Sequence, residues 1–213
     1  MTSKDTTEAI NSYVTDMLAL EKHIAQALEG QLEDLKNYPT VTAELRSILA
    51  TIGGHVNTLE MAASGKGGQG PADAIKKVGS KLLGFGAAAI DMVRNEGMPK
   101  NLRDDYTACS LATIGYVMLH TTALSLNDRG TAEIARRHLD DYAQVVMRLH
   151  NIIPAAVVKF LQEEGLPANE SALSEVSNNL EGVWRGKSQS IPDADQVNIS
   201  STSGRGTSGT SRF

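Results

Sequence analysis

The sequence predicts an all-α fold: a bundle of four long helices paired as two hairpins, with an additional crossover helix between the pairs and a disordered C-terminal tail. Three observations predict it. Apolar residues recur at steps of three and four through four long segments, and short breaks join the segments within each pair while a longer stretch joins the pairs. Aromatics make up only 4% of the 213 residues while Ala, Leu and Ile are plentiful, which favours helices packed through small aliphatic side chains. No segment shows the period-two alternation of a strand.

The first helix is expected over Thr6 to Leu35, with Ile10, Val14, Met17, Ile24, Leu28, Leu32 and Leu35 on one face. Asp5 and Glu8 have the spacing of a capping box variant. Pro39 ends the connection, and Thr40 or Thr42 is expected to cap a second helix running to about Ala63, with Leu45, Ile48, Ile52, Val56 and Leu59 inward. A linker this short implies an antiparallel hairpin. Ser64 to Gly70 is Gly-rich but lacks the Lys-Ser/Thr ending of a phosphate loop and follows no strand, so it reads as a flexible connection. A crossover helix is expected from Pro71 or Ala72 to Arg94. Lys100 to Leu126 forms the next long helix, Asn127 to Gly130 a compact turn, and Thr131 to Glu164 the last long helix, with a kink expected at Pro154. Ala172 to Trp184 suits a short helix. The chain from Lys187 to Phe213 is too polar to offset its ordering entropy. The expected organisation is a bundle over residues 1–165, a helical extension over 166–186 and a disordered tail over 187–213.

The formal charge of −5 argues against a nucleic-acid partner, which would need a basic surface. The stretch Ala108 to Leu126 is long enough to span a membrane, but Tyr116, His120 and its Ser and Thr residues favour a buried bundle helix, so no membrane association is expected. Cys109 is the single cysteine and fits a reducing cytoplasm, the expected location, as a small core residue.

The residues that interrupt apolar stripes carry the functional information. Glu21 lies four residues after Met17 and three before Ile24, in the middle of the first helix's inward face. A buried carboxylate needs a metal, a cation or hydrogen-bond donors, or it takes up a proton. His55 sits between Ile52 and Leu59. Glu21 and His55 are each roughly 16 to 18 residues from the turn at Pro39, so an antiparallel hairpin puts them at about the same height. Structural pairing and metal ligation both remain open for them. On the other hairpin Tyr142 interrupts the last stripe, with His138 one turn earlier and Asp141 on its flank, and Thr113 and Tyr116 lie at a similar height. His23, His120 and His150 read as surface or flank residues, and Asp140 with Asp141 most simply as a solvated face.

With this helix order, the segment Leu18-Ala-Leu-Glu-Lys-His-Ile resembles the first-helix signature of the YciF-type, stress-associated subgroup of bacterial ferritin-like proteins. His55-Val-Asn-Thr-Leu-Glu60 is similar to its second-helix ending, and Glu133 to Leu149 to the apolar spacing of its last helix; the likeness covers about residues 6 to 165. The resemblance implies two metal ions held by single Glu residues from two helices and a Glu-x-x-His pair from each of the other two. Carried over, Glu21 matches the first carboxylate, one pair falls on Ala50 and Gly53, the other near Cys109 and Ala112, and the last carboxylate at or beside Tyr142, next to Asp141. No Glu-x-x-His occurs in the chain. The expected site is therefore degenerate, with Glu21, His55 and Asp141 as its candidate metal ligands. No cofactor is expected by the favoured reading, with iron or manganese as the open alternative. That reading is a non-catalytic, stress-associated ferritin-like scaffold that forms a homo-oligomer, with its tail available to a protein partner. The alternative is a metal-dependent oxidoreductase acting on iron or peroxide through a reduced site.

Overall fold

The computed structural model describes residues 6–32, 35, 37–65 and 97–185. Among these there are five helices and no strand: α1 (Thr6–Leu32), α2 (Pro39–Gly65), α3 (Met98–Ser125), α4 (Arg129–Glu163) and α5 (Ala172–Arg185). The expected crossover helix, the capping role of Asp5 and the tail lie outside the described residues. The chain divides into two units at Ser174 and Glu175; the four long helices belong to the first. In the second unit the chain is helical to Arg185.

Each long helix forms where its apolar face predicts, and local chemistry sets its ends. Pro39 opens α2, where its fixed φ and missing N–H are tolerated. Neither expected threonine caps this helix: Thr40 is already helical, and Thr42 donates its hydroxyl to the carbonyls of Leu35 and Tyr38, closing the turn from inside the first helical turn. Asp128 caps α4, its carboxylate accepting from Thr131 N–H at 3.0 Å and from the Thr131 hydroxyl at 2.8 Å. The α4 helix continues through Pro154 and ends at Gly165, whose φ of 76° suits a residue without a Cβ.

The helices α1 and α2 pack together, as do α3 and α4, and the pairs meet through α1 on α3 and α2 on α4. All four contacts are antiparallel. Lys22 meets Glu60 across α1 and α2, Gln31 meets Asp105 across α1 and α3, and Arg148 meets Glu44 across α2 and α4. His120 reaches the carbonyl of Ala132 across α3 and α4. Consequently α2 and α3 run in the same direction, and residues 66–96 join the far end of α2 to the opposite end of the bundle. There Gly97 enters α3 with φ 89°, and the Phe160 ring lies 2.5 Å from where a Cβ would stand, so only glycine fits.

The core is a stack of Leu, Ile, Val and Ala from all four helices, with Tyr116 and Tyr142 as its largest buried side chains. Cys109 is fully buried, as expected. No described helix is long and apolar enough to cross a membrane. The expectation that α3 is a buried helix needs one correction. Its inward face is buried, but Leu111, Ile114 and Met118 on the opposite face are exposed. A helix at a corner of a four-helix bundle touches two neighbours and leaves its outer face uncovered by them.

Candidate metal centre

At mid-height of the bundle one carboxyl group gathers three donors. Glu21 of α1 is fully buried, and the donors come from the three other long helices. Its Oε1 accepts from the Tyr116 hydroxyl of α3 at 2.5 Å and from Nδ1 of His55 of α2 at 3.2 Å. Its Oε2 accepts from the Tyr142 hydroxyl of α4 at 2.7 Å. The expected pairing of Glu21 with His55 across the first hairpin is therefore present as a contact.

The network extends in two directions. Toward the surface, Nε2 of His55 lies 3.1 Å from Oδ2 of Asp141, whose side chain is half exposed. Toward the interior, Nδ1 of His138 lies 2.8 Å from the Tyr116 hydroxyl. The His55 and His138 rings stack with centroids 3.8 Å apart and planes 17° from parallel. Ligand atoms of Glu21, His55 and His138 all fall within 4.8 Å of one another.

The two imidazoles are electrostatic opposites. Burial works against a charged His55, but hydrogen bonds and charge from Glu21, then Asp141, outweigh it and raise its pKa. For His138, burial first, then the neighbouring His55, push the pKa down to about 3 against the opposing charge of Asp141, so it is a neutral donor or ligand. The hydroxyls of Tyr116 and Tyr142 are both pushed up, first by burial and then by the charge of Glu21, so as they stand both phenols donate to the carboxyl group.

Of the three candidate ligands read from the sequence, Glu21 and His55 meet directly. Asp141 reaches His55 rather than Glu21, the place of a carboxylate that orients a ligating imidazole from behind. Sequence reasoning placed His138 one turn before Tyr142, on the same inward row of α4, but did not count it among the ligands. His23, His120 and His150 stay outside the cluster: His120 caps the Ala132 carbonyl and His150 packs near Tyr106.

The register carried over from the family resemblance also needs correcting. Ala50 is exposed, and a Cβ added at Gly53 would meet nothing within 4 Å, so neither faces the core. The inward i, i+3 pairs ending in histidine are Ile52 with His55 on α2 and Ala135 with His138 on α4. Measured against the Glu-x-x-His pattern of di-metal bundles, both histidines are present and the carboxylate of each pair is replaced by an apolar residue. The second single-carboxylate position, on α3, is taken by the small Ala112 or by Tyr116 one turn on.

What remains is an all-α four-helix bundle with two histidines and one carboxylate converging in its core. The chain belongs to the family described as Domain of unknown function (DUF892), whose family model matches residues 8–162. Its structure is similar to the crystal structure of a protein from Xanthomonas campestris pv. campestris, with a TM-score of 0.61 and 17% sequence identity over 76% of this chain and 100% of the other. That likeness establishes the fold alone. No curated protein matches the chain.

Proposed function

We propose that this chain is a ferritin-like bundle of the stress-associated, YciF-type kind that holds one iron ion between Glu21, His55 and His138. The observation that carries the proposal is the convergence of three buried ligand atoms from three different helices within 4.8 Å. The donor set fits the group: two imidazoles and one carboxylate are the ligands of non-haem iron sites, which keep further positions open. An iron ion bound in this way supplies redox chemistry toward dioxygen or peroxide. The helix order supports the ferritin-like assignment, because α2 and α3 run parallel and require a long crossover between them. A second ion has too few ligands, since Ile52 and Ala135 occupy the positions of two carboxylates.

The protein's own residues divide the remaining work. Asp141 holds His55 in the orientation that aims Nδ1 at Glu21, and Tyr142 fixes the free carboxylate oxygen. Asp141, half exposed, also places the site within one side chain of solvent, which gives the ion and its protons a route past His55. Full-length protein loaded with ferrous iron without oxygen is expected to retain one iron per chain by elemental analysis, and Glu21→Ala or His138→Ala to retain none. Two metal ions per chain, or iron retained by both variants, would defeat the proposal.

A second reading, self-association, is favoured by the outer face of α3. Leu111, Ile114 and Met118 are exposed there, and no Asp, Glu, Lys or Arg occurs from Thr107 to Ser125. A second copy packed on this row would bury apolar surface without bringing like charges together. Sedimentation is expected to show a dimer that Ile114→Glu converts to monomer; a monomeric wild type would end this reading.

A further inference from the structure

We infer that Tyr116 is itself a ligand of the core ion, through its phenolate oxygen, and that the ion held there is therefore ferric. The inference rests on the iron site proposed above and assigns it a fourth ligand and an oxidation state.

The geometry singles out one of the two buried phenols. The Tyr116 oxygen lies 2.5 Å from Oε1 of Glu21 and 2.8 Å from Nδ1 of His138, and the same Oε1 is 3.2 Å from Nδ1 of His55. The phenol oxygen thus stands between two of the three ligand atoms. The Tyr142 hydroxyl donates instead to Oε2, the other carboxylate oxygen from the one that His55 and Tyr116 meet. Ligand atoms at right angles around an ion with bonds of about 2.0–2.2 Å are roughly 3 Å apart. The three separations through Oε1 and the Tyr116 oxygen fall around that spacing, so hydrogen bonds now join the atoms that one ion would join.

Charge selects the oxidation state. Phenolate and carboxylate are hard anionic oxygen donors, and tyrosinate is an established axial ligand of ferric haem. Glu21, the Tyr116 phenolate and Asp141 behind His55 together supply three negative charges, the number that balances a ferric ion. A bound trivalent ion favours the phenolate, as coordinated cations favour the ionised forms of water and thiols. The step balances: the Tyr116 O–H bond breaks, a water or chelate oxygen leaves the iron as the phenolate oxygen bonds to it, the proton goes to water, and neither iron nor protein changes oxidation state.

The test titrates the full-length chain with ferric nitrilotriacetate at pH 7. The expected result is one iron per chain, a visible phenolate-to-iron charge-transfer band, and tyrosinate modes in resonance Raman spectra excited in that band. Tyr142→Phe is expected to keep the band. Tyr116→Phe is expected to lose it while binding one iron at least tenfold more weakly. The Raman measurement on wild-type protein decides the point even if a variant folds poorly. Iron bound at one per chain with no such band, or a band that survives Tyr116→Phe, overturns the inference and leaves the iron site standing. A wild-type chain that takes up neither ferrous nor ferric iron overturns the site and the inference together.

Discussion

Among the described residues two carboxyl groups are buried in this bundle, and they meet different fates. Glu21 lies at mid-height and is surrounded by donors: two phenols and an imidazole, one from each of the other long helices. Asp105, toward the end of the bundle where α3 begins, has one donor, the Gln31 amide at 2.8 Å. Its Oδ2 and the Oε1 of Gln31 are buried without partners. Burial raises Asp105 to about 7, against the lowering effect of Gln31 and with a further push from Asp104. A carboxyl group supplied with donors from several helices is organised as a ligand. One supplied with a single donor is organised to take up a proton, because a buried charge with so little compensation is costly. The comparison also explains why only the first is a candidate metal centre, although both sit on inward faces.

The largest expected effect tests the donor-rich site. Glu21→Ala leaves two buried hydroxyls and an imidazole without their acceptor and opens a cavity, so it is expected to destabilise the fold by about 4 kcal/mol in urea unfolding at pH 7. A loss below about 1 kcal/mol would mean that the donors find other partners and that the network is not organised around Glu21.

The next effect belongs to Asp105. Its pKa is raised from 3.8 to about 7 on folding, so the folded chain binds the proton more tightly than the unfolded chain. Stability from this group is complete below pH 3.8 and is lost as pH rises toward 7, with a total on the order of 2–4 kcal/mol. Unfolding free energies measured from pH 4 to pH 8 are expected to show that decline, and Asp105→Leu to flatten it.

A smaller change sharpens the contrast by giving Asp105 the donor it lacks. Asp105→Asn removes the charge, keeps an acceptor for the Gln31 amide and offers an N–H to the orphaned Gln31 oxygen. It is expected to raise stability at pH 8 by about 2 kcal/mol and to change it little at pH 4. Destabilisation at pH 8 would show that the two side chains cannot close a paired geometry.

The smallest effect removes one donor of several. Tyr142→Phe keeps the ring and leaves Glu21 with Tyr116 and His55, and is expected to cost about 1 kcal/mol by the same unfolding measurement. A cost equal to that of Glu21→Ala would make Tyr142 the keystone of the network in place of Glu21.

Much of this architecture is legible in the amino-acid sequence. The spacing of Leu and Ile locates all four long helices to within a few residues, because one side of each must face a core at the helical repeat. Counting residues from Pro39 pairs Glu21 with His55, since the two arms of a helical hairpin rise at the same rate from one turn. His138 is not legible in that way. It belongs to the other hairpin, and no count from a turn relates a residue on α4 to one on α1. The misplaced register on Ala50 and Gly53 has the same origin: a loose motif match fixes a position along α2 but not the direction in which it points.

The sequence by itself therefore determined the helices, the hairpin partners and the fact that a carboxyl group is buried at Glu21, all consequences of local periodicity and short connections. The tertiary structure alone decided what surrounds that carboxyl group. Closing two hairpins into a bundle brings Tyr116, His138 and Tyr142 to it, the two phenols from 95 and 121 residues along the chain, through packing of helix faces that sequence distance does not encode. The same closure leaves Asp105 with Gln31 and little else, and so makes one buried carboxyl group a centre for ligands and the other a store for a proton.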